Sequence, residues 1–331
     1  MNLRRLAAVL LTVVLLLQNS IAPSSAQSRV GEDHPVYLPF ISSGSGLPPI
    51  IPETTKPLSA ETLQKLVSVS EGSESLIFTE MTLELADLRA GDIVVSSVNV
   101  TVPYGFLRRV VSVTEIDSQV LVTTEEATLD DAIEQGELSI SKRFTPADLE
   151  GAEMLEGISL LQAAQIDLED SFFFELKDVV LYDKDGNMST TDDQLKANGS
   201  IEFKPGVDFR WLKEANKEAD FEFIFNLEET VELEFVVEVE GRRELKVEIA
   251  RLNLGTITIF AGPVPVVLVV QLPIYLRADG VLSAGVTTSV TQTADLTAGV
   301  RRLNGTMSPI SDLSINFGFE PPRLSAGGEI K

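Results

Sequence analysis

Cysteine is absent from all 331 residues, and histidine occurs once, at His34. These absences exclude a Cys-His pair and a two-histidine zinc site. They also leave a Ser-His-Asp triad only His34, which lies in a linker-like segment. Aromatic side chains are sparse where sugar sites would stack, with one tryptophan and four tyrosines. Trp211, beside Leu212, reads as a packing anchor. Basic residues number 26 against 50 acidic ones, for a net charge of −24. A phosphate backbone is bound by a basic face that releases its counterions, so nucleic acid is not an expected partner. Divalent cations and basic partners fit the charge. No glycine loop of the Walker or Rossmann type occurs. Ser139-Ile140-Ser141-Lys142 fits Ser-x-x-Lys, but no Ser-Asp-Asn or Lys-Thr-Gly accompanies it, so it reads as strand. The abundance of carboxylates keeps a glycosidase acid/base pair open without naming one.

What is present begins with an export signal. Arg4 and Arg5 precede an uncharged run from Leu6 to Leu17, interrupted only by Thr12. A bilayer-spanning helix needs ~20 apolar residues, so this run is too short to remain as an anchor. Ser24 and Ala26 supply small side chains for a cut after Ala26, which makes residues 1–26 a cleavable signal peptide. No cysteine follows the cut to carry a bacterial lipid. The mature chain then holds 24 basic against 50 acidic residues, net −26. An exported chain of this size without disulfides is stabilised by packing alone, which points to a secreted or cell-surface protein of bacterial origin.

Residues 27–56 are rich in Pro, Gly and Ser and read as a linker. Within it His34-Pro35-Val36-Tyr37-Leu38-Pro39-Phe40-Ile41 forms an apolar stretch, expected to dock as a short strand. It resembles a Tyr-Leu-Pro-aliphatic segment that follows the signal peptide in exported proteins of some environmental bacteria. Residues 57–145 carry short β runs, Leu76 to Thr79, Ile93 to Val98, Arg109 to Val113 and Val120 to Thr124, divided by turn residues. These predict a small β barrel or sandwich. Thr128 and Asp131 form a capping pattern that heads a helix over Leu129 to Gln135.

This block resembles a module of uncharacterised bacterial surface proteins. The likeness is carried by Leu88-Arg89-Ala90-Gly91-Asp92-Ile93-Val94-Val95-Ser96, Leu107-Arg108-Arg109-Val110-Val111-Ser112-Val113 and the stretch from Thr123 to Ile133. It implies an exported β module with no assigned catalytic residues. Residues 146–165 read as a helical connector, with Thr145 capping and Pro146 in the first turn.

Residues 166–331 predict an extended domain of long antiparallel amphipathic hairpins. Phe221, Phe223, Phe225 and Leu227, then Val231, Leu233 and Phe235, alternate with polar residues at period two. Leu245, Val247 and Ile249 do the same beyond Glu240-Gly241-Arg242-Arg243, which reads as the turn of a hairpin. Val266 to Leu276 and Val281 to Thr293 predict a second hairpin around Ala278-Asp279-Gly280. The fold class is therefore mainly β, with few short helices. No closing strand is evident from Ser325 to Lys331, which leaves a shortened C-terminus open.

The one chemistry-bearing cluster is Asp183-Lys184-Asp185-Gly186-Asn187, continuing to Asp192, Asp193 and Gln194. Its start matches an EF-hand loop, and Asp183, Asp185, Asn187, Asp192 and Asp193 are the candidate calcium ligands. Met188 replaces the turn glycine, Gln194 replaces the closing glutamate, and Val179 to Tyr182 reads as strand rather than entering helix. The same residues are also ordinary hairpin chemistry. Sequons stand at Asn99, Asn187, Asn198 and Asn304. These features lead to an expected non-catalytic surface or matrix scaffold stiffened by calcium. The alternatives are a carrier of an apolar ligand between β-sheets, a carboxylate-dependent extracellular hydrolase and an outer-membrane barrel.

Overall fold

The computed structural model describes residues 47–161, 170–282, 284–320 and 323–324. The signal peptide, His34, the segment from Val36 to Ile41 and the C-terminal residues 325–331 lie outside the described residues. The fold is mainly β, as the alternation predicts, and its sheets are almost wholly antiparallel.

The N-terminal sheet has six strands: β1 (Thr55–Pro57), β2 (Leu66–Val69), β3 (Ser75–Phe78), β4 (Ile93–Ser96), β5 (Phe106–Ile116) and β6 (Gln119–Glu126), in the order β1-β4-β5-β6-β3-β2. Each of its four predicted runs falls on a strand, although β3 stops at Phe78, before Thr79, and β4 at Ser96, before Val98. Two short helices, α1 (Ala60–Leu63) and α2 (Leu83–Asp87), help close its core of Leu63, Leu76, Phe78, Leu85, Val94, Val110 and Val120. The turn entering β4 is built by its own side chain: Asp92 accepts a hydrogen bond from the Arg89 amide at 2.9 Å, while Gly91 takes φ +95°. An L side chain resists that angle, which explains a glycine there. Helix α3 (Leu129–Ala132) follows, with Thr128 and Asp131 forming the expected capping box. It is shorter than predicted, because Ile133 is already extended.

Strand β7 (Gly136–Arg143) leaves this module and pairs with the large sheet, so the module ends before residue 145. The N-terminal linker likewise enters the fold at its end: Ile50 bridges Gln135, and Thr55 to Pro57 runs parallel to Ile93 to Val95.

The helical connector is corrected by the structure over residues 146–161, and its residues 162–165 lie outside the described residues. The Thr145/Asp148 capping box forms, with Pro146 in the first turn, but only a 3-10 turn follows. The chain then makes β8 (Gly151–Met154) and β9 (Ile158–Leu161). Glycines at 151 and 157 weaken a helix there, and pairing partners in two sheets take over the backbone groups.

The remaining strands are β10 (Phe172–Asp183), β11 (Gln194–Lys213), β12 (Asp220–Val237), β13 (Gly241–Ala261), β14 (Val264–Leu282), β15 (Val286–Leu303), β16 (Thr306–Phe319) and β17 (Arg323–Leu324). They divide into an eight-stranded sheet, ordered β16-β15-β12-β11-β10-β9 with β7 on β11 and β17 on β15, and a three-stranded sheet ordered β14-β13-β8. The two expected hairpins are therefore corrected. β12 and β13 belong to different sheets, and so do β14 and β15. The chain changes sheet at residues 238–240 and again between the end of β14 and the start of β15, and Ala278 to Gly280 continues β14 opposite Arg243 to Leu245. The turn joining β13 to β14 is Gly262-Pro263 instead, with Gly262 at φ +58°.

The small sheet covers the large one, and their inner faces interlock through Phe172, Phe174, Ile201, Phe203, Phe225 and Val231 against Ile249, Leu252, Ile257, Leu272 and Ile274. Phe203 stacks on Phe172 and Phe174 at 5.5 and 5.4 Å. A third cluster joins the N-terminal module to this sandwich, with Ile93, Val95 and Ile133 packed with Trp211, Ala261 and Val264. Trp211 is the anchor its neighbours suggested, 2% exposed. Along β12 the buried apolar residues from Phe225 to Val237 turn inward, while Glu228, Glu232 and Glu234 face outward.

Candidate functional site

Asp183 closes β10 and Gln194 opens β11, and the two residues pair across the strands. The acidic cluster is thus the loop of a β-hairpin, as the turn reading held. Its backbone is shaped by its own carboxylates. Asp183 Oδ1 accepts from the Gly186 amide at 2.8 Å, Asp185 Oδ1 from the Asn187 amide at 2.8 Å, and Asp193 Oδ2 from the Asp185 amide at 3.1 Å. Thr190 donates its hydroxyl to Asp185 at 3.1 Å.

The folding of the loop brings Asp183, Asp185 and Asp193 together, with one carboxylate oxygen of each within 4.8 Å of the others. Asp192 is exposed and stands apart from that group, while Asn187 Oδ1 accepts from the Ser189 amide at 3.2 Å. Asp183, Asp185 and Asp193, three of the expected ligands, therefore converge. Gln194 departs from the closing glutamate of the EF-hand pattern, yet its side chain lies against Asp183. It is 1% exposed and donates Nε2 to Asp183 Oδ2 at 2.8 Å, while its Oε1 is buried without a hydrogen-bond partner. Asp193 Oδ1 is likewise buried and unpartnered.

The electrostatics match this geometry. The Gln194 amide holds the Asp183 carboxyl below its ordinary value. Desolvation, reinforced by the charges of Asp185 and Asp183, pushes Asp193 up. Like charges this close disfavour full ionisation unless a cation joins them. Hard divalent cations take carboxylate and amide oxygens, so the donor set of Asp183, Asp185, Asp193 and Gln194 suits calcium, with water completing a shell of roughly six to eight oxygens.

The loop's position matters. At the same end of the sandwich the Glu238 amide donates to Gln194 O at 2.9 Å and the Gly285 amide to Val237 O at 2.8 Å. Those contacts are the two places where the chain changes sheet. The loop therefore sits where the two layers are tied together.

A second perturbed carboxylate, Glu229, belongs to no motif of the sequence. It projects from the inner face of β12, is 6% exposed and accepts from Gln292 Nε2 at 2.8 Å. Burial pushes it up to about 7. Its neighbours across the ladder are Phe203 and Ala294, neither of them an acid. The sequence signal was the doublet Glu228-Glu229, which sets an acid on the apolar phase between Leu227 and Val231.

Comparison with protein-family models, with curated proteins and with solved structures gives no match. Among the described residues no helix is long and apolar enough to cross a membrane.

Proposed function

We propose that this chain is an exported, non-catalytic β-scaffold of the bacterial cell surface or matrix, stiffened by a calcium ion held in the loop from Asp183 to Gln194. The observation that carries the reading is the convergence of three carboxylates beside two buried, unpartnered oxygens, on Asp193 and Gln194. Those oxygens have lost water without gaining a donor, a costly arrangement that a cation relieves. Export rests on the basic pair and short apolar run before Ala26, and the acidic surface suits a soluble extracellular protein. A scaffold role also agrees with long strands whose inner faces are filled by interlocking side chains.

The test is thermal unfolding of the chain from Gln27 to Lys331, with calcium, with magnesium and with a chelator, beside Asp183→Ala and Asp185→Ala. A ligand that binds only the native state raises the midpoint. The expected result is a calcium-dependent rise that both substitutions abolish. An unchanged midpoint at millimolar calcium would reduce the loop to a hairpin turn and remove calcium from the reading.

A further inference from the structure

Strand β16 is the outer strand of the eight-stranded sheet, and among the described residues no strand pairs with its far edge. Such an edge presents a row of free N–H and C=O groups that invites another strand. Among the described residues, the inner face of β16 is also left exposed. Leu313, Ile315, Phe317 and Phe319 lie opposite Leu296, Ala294, Gln292 and Val290, on the side that elsewhere forms the core. They take no part in the core between the two sheets and are 54, 40, 38 and 36% exposed.

The direction of the free backbone groups follows from the hairpin. Leu303 pairs with Thr306 around Asn304 and Gly305, whose φ of 49° and 75° mark a two-residue turn of type I′. In such a hairpin the closing pair is hydrogen-bonded, and pairs alternate from there. The odd-numbered residues of β16 therefore turn their N–H and C=O outward. Pro309 obeys this rule, since the missing donor is one that would have faced out. It blunts the edge at its beginning and leaves Ile310 to Phe319 open.

Charge decides what can dock there. β12 carries six acidic residues, whereas β16 carries one charged residue, Asp312. In a chain of net charge −24, β16 is a surface on which two copies meet with little repulsion. The sequence of the strand is also self-complementary. Antiparallel pairing about a twofold axis at Ile315 sets Ile315 against itself, Leu313 against Phe317, Ser314 against Asn316, and Asp312 against Gly318. Its one charge then faces a residue without a side chain, the outward backbone groups of Leu313, Ile315 and Phe317 meet their counterparts, and Pro309 falls outside the paired stretch.

We infer that β16 is the docking edge for a second copy of this chain, which adds its own β16 antiparallel and joins the two eight-stranded sheets into one. A symmetric interface of this kind closes the exposed edge in both copies and brings their uncovered apolar faces side by side.

The test uses the chain from Gln27 to Lys331 in sedimentation equilibrium over a concentration series, with circular dichroism confirming that each variant is folded. The expected mass is that of a dimer. Ile315→Pro removes one outward donor without touching the pairing to β15, and Ile315→Lys places like charges on the axis. Each is expected to raise the dimer dissociation constant by about tenfold or more. Because the chain has no cysteine, Ile315→Cys gives an independent readout. It is expected to form a covalent dimer on mild oxidation, while Met307→Cys, exposed but outside the paired register, stays monomeric. A monomer at every concentration, a dimer untouched by Ile315→Pro and Ile315→Lys, or a monomer that carries a bound apolar small molecule would each overturn the inference. The last of these would indicate a carrier instead.

Discussion

Arg302 on β15 reaches Asp130 in the first turn of α3, 172 residues earlier in the chain, with Nη2 at 2.8 Å from Oδ2. The same guanidinium donates through Nε to the Ala219 carbonyl at 2.7 Å and lies 5.3 Å from the Phe221 ring centroid. Lys213 adds donors to the Asp130 and Ile133 carbonyls. One polar knot thus fastens the N-terminal module to the end of the large sheet. It lies opposite the end that holds the acidic loop.

We predict that Arg302→Ala lowers stability by about 2 kcal/mol, the scale of a charged hydrogen bond left half-made. Urea unfolding followed by tryptophan fluorescence is the measurement, since Trp211 lies in the joining cluster. Asp130→Ala should cost a similar amount, and the double variant should cost less than the sum of the two. Strict additivity would show that the pair is not coupled.

Glu229 makes a prediction about pH. Its folded value is raised to about 7, above the ordinary carboxyl value of 4.5, so the folded state holds the proton more tightly. Linkage then fixes the sign: stability falls as pH rises from about 4.5 to 7 and levels off above, by roughly 3 kcal/mol from this group. Glu229→Gln keeps a neutral acceptor for Gln292 and abolishes that loss. The variant should match the parent at pH 4 and melt at a higher temperature at pH 8. Parallel curves for the two proteins across this range would contradict the assignment.

Much of this architecture can be read from the alternation of side chains. Phe221 to Leu227 and Val231 to Phe235 announce a strand with one buried face, and that is what β12 is. Alternation does not say which strand lies beside it, because a buried face looks the same whether its cover belongs to its own hairpin or to the sheet above. This is why Glu240 to Arg243 reads as a hairpin turn when the chain is instead changing sheet. The acidic loop was legible as a cluster, but the distinction between Asp193, which turns inward, and Asp192, which does not, depends on the register of β10 and β11. The helix expected after Thr145 had its cap and its proline. What it lacked was an uninterrupted run, since Gly151 and Gly157 follow and sheet partners stood ready.

Gly199 offers a test of that register. It pairs with Leu233 and with Leu176 beside the bulge at Asp178, and it holds φ +130°. A Cβ there would meet the Glu232 carbonyl oxygen at 2.0 Å. Strain and overlap together predict that Gly199→Ala destabilises by about 3 kcal/mol. Chemical denaturation would check this, and a loss below ~1 kcal/mol would mean that the strands relax more readily than their pairing implies.

The acidic loop separates two effects that a single alanine substitution would confuse. Asp193 is raised by its loss of water and by the charges of Asp185 and Asp183, so in the absence of a cation its ionised form works against the fold. For a carboxyl raised in this way, the folded state favours the proton, and stability declines as pH climbs through its folded value. A bound divalent cation reverses the balance by favouring the ionised form. Asp193→Asn should therefore raise the melting temperature in chelator at neutral pH while removing the response to calcium. Asp192→Asn, outside the converging group, should leave the calcium response intact. Scanning calorimetry on both variants, with calcium and with chelator, tells the two apart. If Asp193→Asn melts lower than the parent in chelator, repulsion among these three carboxylates is not what the loop is built to hold.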